Sequence, residues 1–369
     1  MTTQHSTLAS PVKLGSTTLR NKVIMAPLTR MRAQENLAPS AISATYYAQR
    51  ASAGLIITEA SQISQQGQGY PLTPGIYTTA HIAGWKAVTE AVHQEGGTIF
   101  IQLWHVGKIS HSSFQVGNNP PVSSSAIAAL GNAYTADFSR VAYEIPHALT
   151  VEEIQAIVND YKQAAIHAKE AGFDGVEIHA ANGYLIEQFL KSVANNRTDK
   201  YGGSFENRAR FLFEVLDAIL EVLPVDKVGI RLSPFFSAYM PEEPDPLPFY
   251  DYLIKRLADY GLAYLHIIEQ EGSTKNFSTD DKDAETDDLL IKHIRQIYPH
   301  PIIAAGGFTK RKAEKAIELG YADAIAFGRA FISTPDLPYR LFNDIPLNEL
   351  DYNSIYGGDS KGYTDYPTL

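Results

Sequence analysis

Within ten residues, Glu177–Ile186 (EIHAANGYLI), the chain sets out a carboxylate, an imidazole, a carboxamide and a phenol. His179 and Asn182 can each donate a hydrogen bond to an oxygen, and Tyr184 carries a phenol able to release a proton. The stretch reads as a short buried strand that stops in polar side chains and turns at once into a helix. A strand has little structural need to end this way, so the cluster marks a site where an oxygen is held beside a proton source. A second group of residues suits a phosphate. Gly306 and Gly307 follow one apolar run, and Gly328 and Arg329 follow the next. Glycine turns that lead into a helix expose backbone N–H groups, and Arg329 adds a cation. No metal centre is expected. The sequence has no cysteine, and H-x-H and H-E-x-x-H spacings are missing. Disulfides and a cysteine nucleophile are excluded on the same ground.

These residues need elements to hold them. Apolar, β-branched runs of strand length recur at 22–29, 54–60, 97–104, 175–180, 228–233, 264–269, 302–307 and 324–329. Amphipathic stretches lie between them at 39–52, 81–95, 151–171, 205–222, 249–260, 287–298 and 309–319. Thr150 and Thr309 mark helix starts, and Gly96, Gly172, Gly261 and Gly320 mark helix ends. This α/β alternation predicts a single (β/α)8 TIM barrel over residues 1–369. An open doubly wound sheet would carry a nucleotide-binding glycine loop, and no G-x-G-x-x-G is present. The segments 105–150 and 234–248 are read as long βα loops at the C-terminal face, where barrels build their active sites. Residues 1–20 are read as a small lid closing the other end, with Pro11–Gly15 and Thr18–Arg20 as its hairpin.

In a helix-wrapped barrel the outward face of a strand is apolar, so polar strand residues point into the lumen. That rule selects Thr29, Gln102, Glu177, His179, Arg231 and Ser233, and it puts Met25 on the Thr29 face. A buried guanidinium needs an anionic or carbonyl partner, which leaves open an internal pair between Arg231 and Glu177. The bulk properties exclude other classes. With 369 residues, a net charge of −10 and an isoelectric point near 5.6, the chain offers no basic field for nucleic acid. No apolar span is long enough to cross a membrane, and residues 1–10 lack a signal-peptide core, so a cytoplasmic protein is expected. Tyrosine (21) and phenylalanine (16) are plentiful enough to line a cavity as well as a core.

In order along the chain, Pro27-Leu28-Thr29-Arg30, Gln102-Leu103-Trp104-His105, His179-Ala180-Ala181-Asn182-Gly183-Tyr184-Leu185, Asn196–Ser204, Ala305-Gly306-Gly307, Phe327-Gly328-Arg329 and Tyr356-Gly357-Gly358 resemble the old yellow enzyme family. The closer likeness is to bacterial members such as N-ethylmaleimide reductase and pentaerythritol tetranitrate reductase, and it runs from about Leu8 to Leu369. The resemblance implies an ene-reductase with non-covalent FMN, reduced by NADPH or NADH. Its substrates would be electron-poor alkenes, quinones or nitro compounds, with phenols as inhibitors, and the protein would be a monomer or homodimer. FMN would lie against Pro27, Thr29 and Ala60, with Gln102 and Arg231 on its polar edge and its phosphate on Gly306, Gly307, Gly328 and Arg329. His179 and Asn182 would hold the substrate oxygen, hydride from flavin N5 would reach the β-carbon, and Tyr184 would protonate the α-carbon. Trp104, Tyr70 and Tyr356 match positions lining the substrate cavity.

The sequence also departs from the family pattern. Asn182 stands where some bacterial relatives carry a second His, and Thr29 where another branch has Cys. Residues 235–248, rich in Pro and acids, match poorly, and Glu177 has no assigned role. His105 and the histidines at 81, 93, 111, 147, 167, 266, 293 and 300 are read as structural, and the acidic run 280–288 as solvated surface. Two other classes stay open: an FMN-binding or storage barrel without alkene reductase activity, and another barrel chemistry such as α-hydroxy acid oxidation.

Overall fold

Each apolar run contains one parallel strand: β1 Val23–Met25, β2 Leu55–Ile57, β3 Ile99–Trp104, β4 Gly175–Ala180, β5 Val228–Leu232, β6 Tyr264–Ile268, β7 Ile302–Ala305 and β8 Ala324–Phe327. Neighbours pair in chain order and β8 pairs back onto β1, so the sheet closes into a barrel. Ser61–Gln62 adds a short pairing to the end of β3. This computed structural model describes residues 6–269 and 289–369. The acidic run 280–288 lies outside them, as does the start expected for the seventh helix at 287.

Helices α1 Ala41–Ala48, α2 Thr79–Gln94, α3 Val151–Glu170, α5 Phe205–Leu220, α6 Leu247–Ala258, α7 Leu290–Arg295 and α8 Lys310–Glu318 fall where the amphipathic stretches do, and the short helices α4 Leu185–Leu190, α9 Arg329–Ser333 and α10 Leu337–Phe342 lie outside them. Thr150 and Glu153 form a reciprocal capping box at the start of α3, and the Thr309 hydroxyl accepts from Lys312 N–H at the start of α8. Gly96, Gly172, Gly261 and Gly320 all have positive φ and end helices as expected. Among the described residues no helix is long and apolar enough to cross a membrane.

The strands have two faces. Ile99, Ile101, Leu103, Val176, Ile178, Val228, Ile230 and Leu232 face the helices in the large outer core. A smaller cluster fills the barrel floor, with Ile24, Leu55, Ile57, Phe100, Tyr264 and Ile303. The hairpin Val12–Leu14 and Thr17–Leu19 closes that end, adding Leu14 and Leu19 to the floor cluster. At its turn, Gly15 lies so close to Asp226 that a Cβ would stand 2.1 Å from the carbonyl oxygen. The face expected for the first strand is corrected. Met25 belongs to the outer core, whereas Ile24 and Ala26 fill the floor. Strand β1 stops at Met25, so alternation counted back from Thr29 runs through three residues that are not strand.

Past α10, the C-terminal segment returns to the barrel mouth under the hold of two arginines. Arg30 donates from Nε to Ile355 O (2.9 Å) and from Nη2 to Gly362 O (2.7 Å). Arg32 Nη2 donates to Ser354 O (2.8 Å) and Lys361 O (2.9 Å). Gly357 N–H returns a bond to Arg30 O, and Tyr363 stacks on Tyr46 with ring centroids 4.0 Å apart.

Candidate active site

Register decides which side chains share the lumen. Glu177 of β4 stands opposite Gln102 of β3, His179 opposite Arg231 of β5, and Arg231 opposite His266 of β6. Above them lies a cavity of about 240 Å³. Pro27, Thr29 and Ala60 line one side; Gln102, Trp104, His179, Asn182, Tyr184 and Arg231 line the rest, with Phe236 and Tyr239 from the loop after β5. A second cavity of about 300 Å³ shares Thr29, Tyr184 and Tyr239 and adds Tyr70, Tyr134, Tyr143, Tyr356, Arg140, Asn132 and Met31. The two form an inner polar chamber and an outer tyrosine-lined one.

The turn after β4 is a built feature. Asn182 has φ +58°, a conformation Asn tolerates better than most residues, and Gly183 follows at +80°. Asn182 N–H donates to Ser233 Oγ (2.7 Å), and Gly183 N–H donates to the Glu187 carboxylate (2.5 Å). Ser233 Oγ and Tyr250 OH also donate to Glu187, at 2.7 and 3.2 Å. Lys191 Nζ lies 3.6 Å from the same oxygen. Burial pushes the Glu187 carboxyl up despite these partners. Ser233, expected in the lumen, instead buttresses this turn because β5 ends at Leu232.

Burial, reinforced by the charge of Arg231, holds the His179 imidazole well below its ordinary pKa, so the ring is neutral with one N–H donor. Its Nδ1 is buried without a hydrogen-bond partner, as are Arg231 Nε and Trp104 Nε1. Burial pushes the Tyr184 phenol far above its ordinary range, with Tyr239 adding to the effect, so it stays protonated. Its hydroxyl lies 3.1 Å from Tyr70 OH, which lies 3.3 Å from Tyr239 OH. The Tyr184 ring meets Trp104 and His179 edge to face, at 4.9 and 5.1 Å. His105 is buried beneath, its Nδ1 accepting from Gly107 N–H, and burial pushes its pKa down to about 3.

The internal pair of Arg231 and Glu177 that the sequence leaves open is not formed, and another arrangement stands in its place. Glu177 accepts from Gln102 Nε2 (2.7 Å) and contacts His266 Nδ1 (2.9 Å). Arg231 feels Glu177 only as a nearby charge, and burial lowers its pKa. His266, read as structural from sequence, is a lumen residue; its alternation with Tyr264 on β6 was the signal that could have found it. Tyr239, Phe236 and Tyr143 were missed because they stand on irregular loops, where no period exists to read, and Tyr134 because it ends a strand of only three residues, Asn132–Tyr134, too short to show one.

The glycine turns lie around the same rim and do not line either cavity. Gly306 and Gly307 follow β7 with φ of +111° and +67°, and nothing lies within 4 Å of a Cβ placed on Gly307. Gly328 caps α9 beside Leu28, next to the end of β1. A polar cavity with unpartnered donors and an open glycine cradle around the rim fits a phosphorylated, hydrogen-bonding cofactor.

A family model described as "NADH:flavin oxidoreductase / NADH oxidase family" matches residues 7–348. 12-Oxophytodienoate reductase 1 of Oryza sativa subsp. japonica is 43% identical over 374 residues, covering 98% of this chain and 93% of the relative. The structure of morphinone reductase in complex with tetrahydroNAD superposes with a TM-score of 0.90 at 46% identity, covering 98% of this chain and 97% of that one. The old yellow enzyme homologue from Zymomonas mobilis gives a TM-score of 0.92 at 41% identity, covering 98% and 100%.

Proposed function

The chain belongs to the NADH:flavin oxidoreductase / NADH oxidase family, the old yellow enzyme family, and from that membership we propose that it reduces the C=C bond of α,β-unsaturated carbonyl and nitro compounds. FMN, when bound, supplies the redox centre that takes hydride from a nicotinamide and passes it to the substrate. The chain's own residues do the rest. Pro27, Thr29 and Ala60 would flank the ring; Gln102 and Arg231 would meet its polar edge; Gly306, Gly307, Gly328 and Arg329 would take the phosphate. Arg231 is the cation that favours the negative charge of a reduced flavin. His179 and Asn182 donate hydrogen bonds to the substrate's carbonyl or nitro oxygen and draw electron density from its double bond. Tyr184 gives its proton to the α-carbon. Trp104, Tyr70 and Tyr356 shape the space above.

One observation carries the reading: the Tyr184 phenol opens onto the same cavity as the unpartnered nitrogens of His179 and Arg231. FMN binding alone does not require His179, Asn182 and Tyr184 together. The test is a flavin absorbance spectrum of the purified protein, then oxidation of NADPH and NADH with 2-cyclohexenone or N-ethylmaleimide. Flavin uptake without alkene reduction would leave a binding or storage protein. Turnover with lactate or glycolate would point to α-hydroxy acid oxidation instead. A phenol titration giving a long-wavelength band would support an oxygen seat between His179 and Asn182.

A further inference from the structure

Glu177 is the member of the polar cluster with no part in this chemistry, and it is fully buried in the lumen. Residues of three strands surround it. Gln102 faces it from β3, His266 from β6, and Arg231 stands between on β5, level with both His179 and His266. Burial opposes ionisation of Glu177, but His266, Arg231 and Gln102 outweigh it and hold the carboxyl below its ordinary range. The carboxylate is therefore ionised and only accepts hydrogen bonds.

That fixes the orientation of its neighbours. A carboxamide has a donor end and an acceptor end, and only the donor end can meet a carboxylate. The Gln102 NH2 is thus turned to Glu177, which leaves its carbonyl oxygen for the cavity. His266, held neutral by burial, puts its one N–H on Nδ1 toward Glu177, and its Nε2 has no partner. The lumen therefore presents an acceptor on Gln102 beside the donors of Arg231.

We propose that Glu177 is a positioning residue, fixing the Gln102 carbonyl toward the cavity and supplying the counter-charge to Arg231, so that the site selects a ligand edge with an N–H beside a C=O. The pyrimidine edge of a flavin is such an edge, and the inference rests on the FMN reading above.

The test measures the FMN dissociation constant and the midpoint potential of the bound flavin in the unmodified chain, Glu177→Gln and Glu177→Asp. Glu177→Gln removes the charge and lets the Gln102 amide turn either way. The midpoint potential should move to a more positive value, because Arg231 then faces the reduced flavin uncompensated, and FMN should bind about tenfold more weakly for the loss of one charge-assisted hydrogen bond. Glu177→Asp keeps the charge but falls a methylene short of Gln102, so binding should weaken while the potential stays near that of the unmodified chain. A carboxylate that only stabilises the fold would lower the melting temperature of Glu177→Gln and leave the potential unchanged. That result overturns the proposal, as do equal potential shifts in both variants.

A third readout uses the unmodified chain, so it survives a folding defect in either variant. FMN methylated at N3, which lacks the N–H, should bind at least about tenfold more weakly than FMN; equal binding overturns the proposal. A protein that binds FMN yet fails these tests sinks this inference alone. One that takes up no FMN sinks the functional reading with it.

Discussion

Strand β3 carries two chemistries within five residues. Phe100 packs on Tyr264, with ring centroids 5.9 Å apart, in the apolar floor sealed by the N-terminal hairpin. Two residues on, Gln102 bonds to Glu177, and two further on, Trp104 Nε1 has no partner. The floor is almost complete in itself; its unpartnered polar atom is the Tyr264 hydroxyl, in register with Glu177 through Gly229. The mouth leaves Trp104 Nε1, His179 Nδ1, Arg231 Nε and His266 Nε2 without partners. Buried polar atoms without partners each cost of the order of 1–3 kcal/mol. A chain that keeps several in one place is built to meet something there.

The contrast can be broken experimentally. Tyr184→Phe should slow oxidation of the reduced enzyme by enones about 10²- to 10⁴-fold, while reduction by the nicotinamide stays near that of the unmodified chain. Stopped-flow traces of the two half-reactions separate these, and equal slowing of both would remove Tyr184 from the proton transfer. Phe100→Ala should instead cost about 3–5 kcal/mol of stability in denaturant titration, with the FMN affinity of the folded molecules unchanged. Affinity lost alongside stability would mean that floor and mouth are one unit.

The mouth is also titratable where the floor is not. Glu59, just past β2 and beside Ala60, accepts from Arg30 N–H (3.2 Å), and burial pushes its carboxyl up to about 7. A carboxyl raised in the folded state contributes full stability below its unfolded value of 4.5 and loses that contribution as pH rises through 7. Melting curves should show up to about 3 kcal/mol lost across that window, and Glu59→Gln should flatten the slope. A slope that persists in Glu59→Gln would place the titration elsewhere. The smallest effect expected is that of stripping FMN, about 2.7 kcal/mol at a ligand concentration of a hundred dissociation constants. Hydrogen exchange should then quicken at the mouth strand ends and loops and leave the floor as it was. Uniform quickening would erase the distinction.

The floor and the strand parity of β3, β4 and β5 were legible because alternation and helix caps are local. Gln102, His179 and Arg231 are placed in the lumen by counting along a strand, and the cavity they line is the one observed. Counting failed where strands stop. Counting puts Met25 on the wrong face and Ser233 in the lumen, because irregular backbone carries no period. The outer chamber was the least legible part. Tyr70 and Tyr356 came from resemblance, whereas Tyr239, Tyr134 and Tyr143 are brought in by loops whose course depends on tertiary contacts such as Leu130 N–H to Tyr239 O. The partner of Glu177 went unseen for another reason: β4 and β6 do not pair, so His266 reaches Glu177 across the lumen rather than along the sheet.

The arginine-held C-terminal segment has a consequence for the order in which the molecule is made. During synthesis, β8 leaves the ribosome before residues 354–362, so the nascent barrel can close while Arg30 and Arg32 still lack the carbonyls they grip. Tyr356 arrives with that segment and, although more than half exposed, lines the outer chamber. The inner chamber is thus complete in the chain some thirty residues before the outer one, and a message truncated in that interval would yield a barrel with its polar lumen in place and an outer chamber lacking Tyr356.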